Sequence, residues 1–337
     1  MKRKWTAIFA ALGMAALIFD SRTALLGAQT GMEVCIKTVI PSLFPFFVLS
    51  ILLGGALREE RMGFLAPIAR LLRVPDGAMP LILVGLLGGY PVGAQGVALA
   101  HREGRLHQAD ARRMLAFCSN AGPAFIFGMG ARLFPQLWVC FLVWAVHIAS
   151  SWCVALLTPC DHTHTAAIAT GGGISLPQAM RQAIITLASV CGWVVLFRIL
   201  IAFADRWALW AVSREIRAML IGATELANGC CTLPEIPGTG LRMTAFASLL
   251  SFGGLCVAMQ TASVCQGTSL GLYLPGKVCQ AAISCLLCIP AQLLLPMEQR
   301  WYCGAALTVV LCTVCVAYRI YAAKIQKSSS ILSAAVV

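Results

Sequence analysis

The sequence predicts an all-α, polytopic membrane protein with about eight transmembrane helices and two re-entrant hairpins arranged as inverted repeats. Three observations carry this. Hydrophobic residues make up 59% of the 337 residues and charged residues only 11%, with a mean hydropathy of +0.84, whereas soluble domains carry roughly 25% charged residues. Apolar stretches of spanning length, about 20 residues, recur from end to end and leave no room for a soluble domain of any size. Two further apolar stretches are interrupted at their centres, at corresponding places in the two halves of the chain.

Charge and cysteine content narrow the function classes. The net charge of +12 comes from Arg and Lys in short connections, where basic residues hold loops in the cytoplasm. They form no patch interleaved with aromatic residues, so the expected partner is the lipid bilayer and not nucleic acid. The sixteen cysteines are scattered inside apolar stretches, where Cys acts as a small hydrophobe, and no disulfide framework is readable. There is no P-loop, no HExxH and no Ser–His pair at membrane depth, so neither an enzyme nor a cofactor is expected. The sequence leaves association into a homo-oligomer open.

Taken in order, Lys2-Arg3-Lys4 precedes a first span at 5–27, which sets the N-terminus in the cytoplasm. After a short turn, a second span at 34–57 carries Pro41 and Pro45, which should kink it. Glu33 and Lys37 stand at i,i+4 and can pair. Residues 63–74 are too short to span and read as a surface helix. The apolar run 78–100 contains Gly88-Gly89-Tyr90-Pro91-Val92-Gly93 and has basic residues on both flanks, from Arg58 to Arg73 and from Arg102 to Arg113. Both ends then belong in the cytoplasm, and the run must turn back within the membrane. A third span at 113–133 holds Ser119-Asn120-Ala121-Gly122-Pro123 at mid-depth and should be broken into half-helices.

The fourth span, 136–158, contains His147, read first as a packing residue. Residues 159–178 form a polar linker between a first half (1–158) and a second (179–326). Within the linker, Cys160-Asp161-His162-Thr163-His164 lacks a second ligand cluster at zinc spacing and reads as a solvated loop. The fifth span, 182–204, carries Arg198, expected to snorkel, and Trp207 and Trp210 follow as interfacial anchors. Residues 218–237, centred on Glu225-Leu226-Ala227-Asn228-Gly229, read as a second re-entrant hairpin. Spans at 241–263 (broken near Ser251–Gly254), 277–295 and 301–322 follow, and Lys324 and Lys327 place the tail, 327–337, in the cytoplasm.

An internal repeat underlies this layout. Arg113-Met-Leu-Ala-Phe117 recurs as Arg242-Met-Thr-Ala-Phe246, and each copy opens a broken span that follows an interrupted hairpin. Interrupted segments at corresponding positions of two halves point to a transporter binding site. The predicted topology brings the hairpins in from opposite faces. It also leaves Arg206, Arg214, Arg217 and Arg242 outside, against the positive-inside bias.

Pro41-Ser-Leu-Phe-Pro-Phe46, Gly88-Gly-Tyr-Pro-Val-Gly-Ala94, Ser119-Asn-Ala-Gly-Pro123 and Glu225-Leu-Ala-Asn-Gly229 together resemble the sporulation integral membrane proteins of the YlbJ type. That family carries a nucleoside-recognition or Gate domain and looks related in fold to concentrative nucleoside transporters. The resemblance implies transport of dipicolinate out of the mother cell during sporulation, from the outer forespore membrane. The sequence departs from the pattern directly before Asn228, where Thr is expected and Ala227 stands.

A small organic anion such as dipicolinate needs positive potential at mid-membrane without much permanent charge. Half-helix N-termini provide it. The expected substrate-binding residues are Gly88, Gly89 and Gly93 for close backbone approach, Tyr90 for stacking, and Gln95, Ser119, Asn120 and Asn228 for hydrogen bonds. Glu225 is expected to carry a coupling proton or to cap the broken helix. Close helix packing is the alternative role for the glycines, and satisfaction of broken backbone is the alternative for the two asparagines. Two other functions stay open on the residues alone: a cation-coupled nucleoside transporter, and a non-transporting scaffold in spore assembly.

Overall fold

Asp20 decides how the chain enters the bundle. Its carboxylate accepts a hydrogen bond from the Thr23 amide (3.3 Å) and pairs with Arg206 (2.9 Å). It therefore ends a first helix, α1 (Lys2–Phe19), and caps a second, α2 (Ser21–Val34). In the computed structural model, which describes residues 2–57, 63–160 and 173–334, the described residues form helices and connecting turns with no strand. Six helical stretches among them are long and apolar enough to cross a membrane. The protein is an integral, multi-pass membrane protein.

This boundary at Asp20 corrects the first two predicted spans. The turn expected between residues 27 and 34 is helical, and the chain instead runs unbroken from Ser21 to Ala56. The apolar pattern continues smoothly past Asp20, so hydropathy alone hides a boundary made by one capping carboxylate. Within the long span, α2 passes through a π-helical turn at Cys35–Val39 into α3 (Ile40–Ala56). Pro41 and Pro45 follow that turn, the kind of place where an α-helix loses its regular hydrogen bonds. Gly27 and Gly31 let α2 press against α10 (Leu176–Trp207), because a Cβ on Gly27 would stand 3.0 Å from the Ile199 Cα.

The next elements come as two similar series. The first is a short helix α4 (Ala66–Leu72), a hairpin of α5 (Met79–Gly88) and α6 (Val92–Arg102), a broken pair α7 (Gln108–Leu115) and α8 (Pro123–Leu133), and the span α9 (Leu137–Leu157). The second, after α10, is a hairpin of α11 (Arg214–Thr224) and α12 (Leu226–Thr232), a broken pair α13 (Thr239–Phe252) and α14 (Gly254–Val264), and the span α15 (Tyr273–Ala291). A final helix, α16 (Ala305–Ala334), lies mostly exposed on the outside.

The hairpins have a common construction. In the first, Gly85 and Gly93 face each other so closely that a Cβ on Gly93 would sit 2.8 Å from the Gly85 Cα. In the second, a Cβ on Gly229 would strike the backbone of Gly222. Each glycine pair lets two short antiparallel helices touch at the backbone, leaving the tips at Gly89–Pro91 and at Glu225.

The arginines of the sequence repeat close opposite ends of the bundle. Arg113 is buried and donates to Leu72 O and Ala155 O (2.8 Å each), Arg73 O (2.9 Å) and Thr158 O (3.3 Å), so it finishes the C-terminal ends of α4 and α9 together. Arg242 donates to Ile236 O (2.9 Å) and Leu133 O (3.2 Å) at the other end, where α8 stops. Nearby on that second end, Arg217 pairs with Asp205 (2.9 Å). Arg198, predicted to snorkel, instead points to Asp205 (3.9 Å). The span predicted to begin at Lys277 begins at Tyr273, and Lys277 is fully buried inside α15. Of the loops singled out by sequence, Arg58–Arg61, residues 161–164 of the Cys160–His164 stretch, and the end of the tail from 335 lie outside the described residues.

Candidate functional site

Three interruptions meet at the centre of the molecule. The first hairpin turns through Gly89 (φ +77°), a conformation that favours glycine, and a cis Tyr90–Pro91 bond. A Cβ on Gly89 would lie 2.7 Å from the Gly122 amide, so this tip is seated on the break between α7 and α8. On its other side the Tyr90 hydroxyl donates to Leu250 O (2.7 Å), and its ring lies beside Gly253, where α13 gives way to α14. Gly253 and Gly254 both have positive φ, +81° and +85°, which is how that span breaks. One tip thus bridges both breaks.

The second tip is organised by Glu225. Its carboxylate accepts from the amides of Ala227 (3.1 Å) and Asn228 (2.7 Å) and from the Asn228 side chain (2.5 Å), so it caps α12 at mid-membrane. Between the tips lies a cavity of about 40 Å³. Tyr90, Glu225, Leu226 and Ala227 line it from the hairpins, Ala121 and Gly122 from the first break, and Val257 and Gln260 from α14. One water needs about 10–15 Å³, so the space holds a few waters, far less than the 300 Å³ or more of a typical ligand pocket. Phe125 of α8 walls it off from a more open crevice of about 360 Å³ that is lined by Lys37, Pro41, Pro45 and Arg132.

Around the first break runs a buried polar network. The Asn120 amide donates to Phe117 O (2.7 Å) and Ser151 (3.2 Å), and its oxygen accepts from Gln280 (3.0 Å). His147 Nε2 accepts from the Ala121 amide (3.1 Å), which fixes Nδ1 as the protonated nitrogen facing Ser251 (3.1 Å). Ser251, Ser284 and Ser150 continue the chain across α13, α15 and α9. Lys277 completes it, donating to Ser119 O and to Gln280 Oε1 (2.8 Å) with its amine 5.3 Å from the centre of the Tyr90 ring.

The residues singled out by sequence are therefore placed unevenly. Tyr90 and Glu225 line the central cavity, and Ser119, Asn120 and Asn228 stand just behind it. The Asn120 amide is bonded to the Phe117 carbonyl and the Ser151 hydroxyl, and the Asn228 amide to the Glu225 carboxylate. Gly88, Gly89 and Gly93 are packed against Ser50, Gly122 and Gly85, so close packing accounts for their size. Gln95 is away from the others, in a separate crevice of about 100 Å³ between the first hairpin, α3 and α10. Lys277 and Gln280 went unnoticed because a basic residue near the start of an apolar run reads as a flank. The signal that could have found them is the polar face Tyr273-Lys277-Gln280-Ser284, spaced four, three and four apart on a helix.

Part of the chain is similar to a curated protein. A stretch of 124 residues, 36% of this chain, is 33% identical to the sporulation integral membrane protein YlbJ of Bacillus subtilis (strain 168) and covers 30% of that protein. The match thus spans less than a third of the relative. No family model and no solved structure matches the chain. Over that stretch the chain is similar to a sporulation integral membrane protein.

Proposed function

We propose that the chain is a secondary transporter of a small organic anion in sporulation, with dipicolinate (pyridine-2,6-dicarboxylate) the first candidate, moved out of the mother cell. The observation that carries this reading is the convergence of both hairpin tips and both broken spans on one central cavity. Irregular backbone at membrane depth is a cost that transporters accept where it surrounds a substrate path. Gly122, which caps α8, faces the cavity, and the N-terminal end of that helix favours an anion. The cavity is too small for dipicolinate as it stands, so this is a closed state, and the tips separate to admit substrate.

Counterflow in proteoliposomes tests the proposal. Vesicles preloaded with unlabelled dipicolinate should take up labelled dipicolinate in a saturable way, well above protein-free vesicles. Uptake equal to protein-free vesicles would refute it. A second reading, a cation-coupled nucleoside carrier, is favoured by Glu225, because a carboxylate on the cavity wall suits an uncharged substrate better than an anion. Inhibition of dipicolinate counterflow by excess uridine would turn the assignment that way.

A further inference from the structure

Lys277 sits at the heart of the buried polar network. Among the described residues no carboxylate lies within ion-pair distance of it, and its side chain is completely buried. A buried ammonium without an anion is costly unless something offsets it. Two of its N–H groups are taken by Ser119 O and Gln280 Oε1, and what remains of the ammonium faces the ring of Tyr90. Tyr90 also lines the central cavity, so its ring stands between the amine and that space. Glu225, the one carboxylate on that wall, is already held by three N–H groups of its own hairpin.

We propose that Lys277 is the anchor for a carboxylate of the substrate, reached when Tyr90 moves off the amine with the tip of the first hairpin. The ligand class is an aromatic or otherwise flat carboxylate. Its carboxylate replaces the ring as the third partner of the ammonium, and its flat face takes the place beside the amine that the phenol ring holds in the closed state. Ser119 O and Gln280 hold the amine in position for this, and Asn120 holds Gln280 in turn. The proposal rests on the anion-transport reading and adds to it the residue that makes the site anionic in preference.

Thermal stabilisation of the purified full chain by three ligands is the test: dipicolinate, picolinate and pyridine-2,6-dicarboxamide. Dipicolinate should stabilise the wild-type protein, picolinate less, and the uncharged dicarboxamide not at all. In Lys277→Met the affinity for dipicolinate should fall about tenfold to a hundredfold, the loss of one charge-assisted contact, with Lys277→Arg between the two. If the dicarboxamide stabilises the wild type as well as dipicolinate does, the proposal fails, and this arm needs no variant to fold. If dipicolinate stabilises Lys277→Met as well as wild type, the anchor is wrong while the anion reading stands. If no carboxylate stabilises the wild type, the anion reading falls and the anchor with it.

Discussion

Replacing Arg113 by leucine should destabilise the protein by about 3 kcal/mol. The figure is built from its contacts. Three of its four hydrogen bonds are 2.9 Å or shorter, and the fourth is 3.3 Å. A hydrogen bond from a charged donor contributes about 1.5–3 kcal/mol, so three good bonds give about 4.5 kcal/mol or more. Against that, the leucine side chain gains about 1.5 kcal/mol from burial in the same space, which brings the net loss to about 3 kcal/mol. The carbonyls of Leu72, Ala155 and Thr158 are left without their donor where water reaches them poorly. Arg242, its counterpart in the repeat, serves only Ile236 O and Leu133 O and is partly exposed, so Arg242→Leu should cost about 1 kcal/mol by the same reasoning. Reversible unfolding in mixed micelles, with the denaturing detergent fraction as the variable, reads both. A wild-type-like midpoint for Arg113→Leu, or a larger loss for Arg242→Leu, would refute the account of how the two helix ends are closed.

Other substitutions probe the two hairpins. Gly229→Ala places a Cβ against the backbone of Gly222, which cannot give way like a flexible side chain, so the hairpin should open and the yield of monodisperse protein should collapse. Gly96→Ala in the first hairpin meets only the end of Leu81 at 3.5 Å and should leave yield and melting temperature nearly unchanged. Glu225→Ala removes the cap of α12 and should cost about 1–2 kcal/mol, whereas Glu225→Gln keeps one acceptor and should lose less. Hydrogen exchange at the Ala227 and Asn228 amides should quicken in that order, and unchanged protection in Glu225→Ala would contradict the capping role.

Much of this architecture was legible in the residues. Glycine and proline inside apolar runs marked the breaks at 89–91, 116–122 and 253, because their backbone effect is local. The Arg113/Arg242 repeat marked two related series, because helix ends need donors wherever they fall. The first helix boundary was not legible, since Asp20 acts through one capping bond and an ion pair to Arg206, 186 positions further along the chain. The site was legible in outline only. Tyr90 and Glu225 line the cavity because they sit on the tips themselves. Lys277 and Gln280 were missed because what makes them central is a fold that brings α15 against a break on the other half of the chain. The partners of the Asn120 and Asn228 amides, Phe117 O, Ser151 and Glu225, lie on other turns or helices and could not be read from the sequence.

The reciprocal bonds between the halves bear on how the chain is made. Ser119 O waits for Lys277, 158 residues later, and Leu250 O waits for Tyr90, made 160 residues earlier. During synthesis the first half enters the membrane with an open carbonyl at mid-depth and cannot close it alone. The late half meets its own gap already filled from the early one. Neither half is a self-sufficient unit in lipid, so the two produced as separate chains should accumulate only when made together, each acting as the other's folding partner.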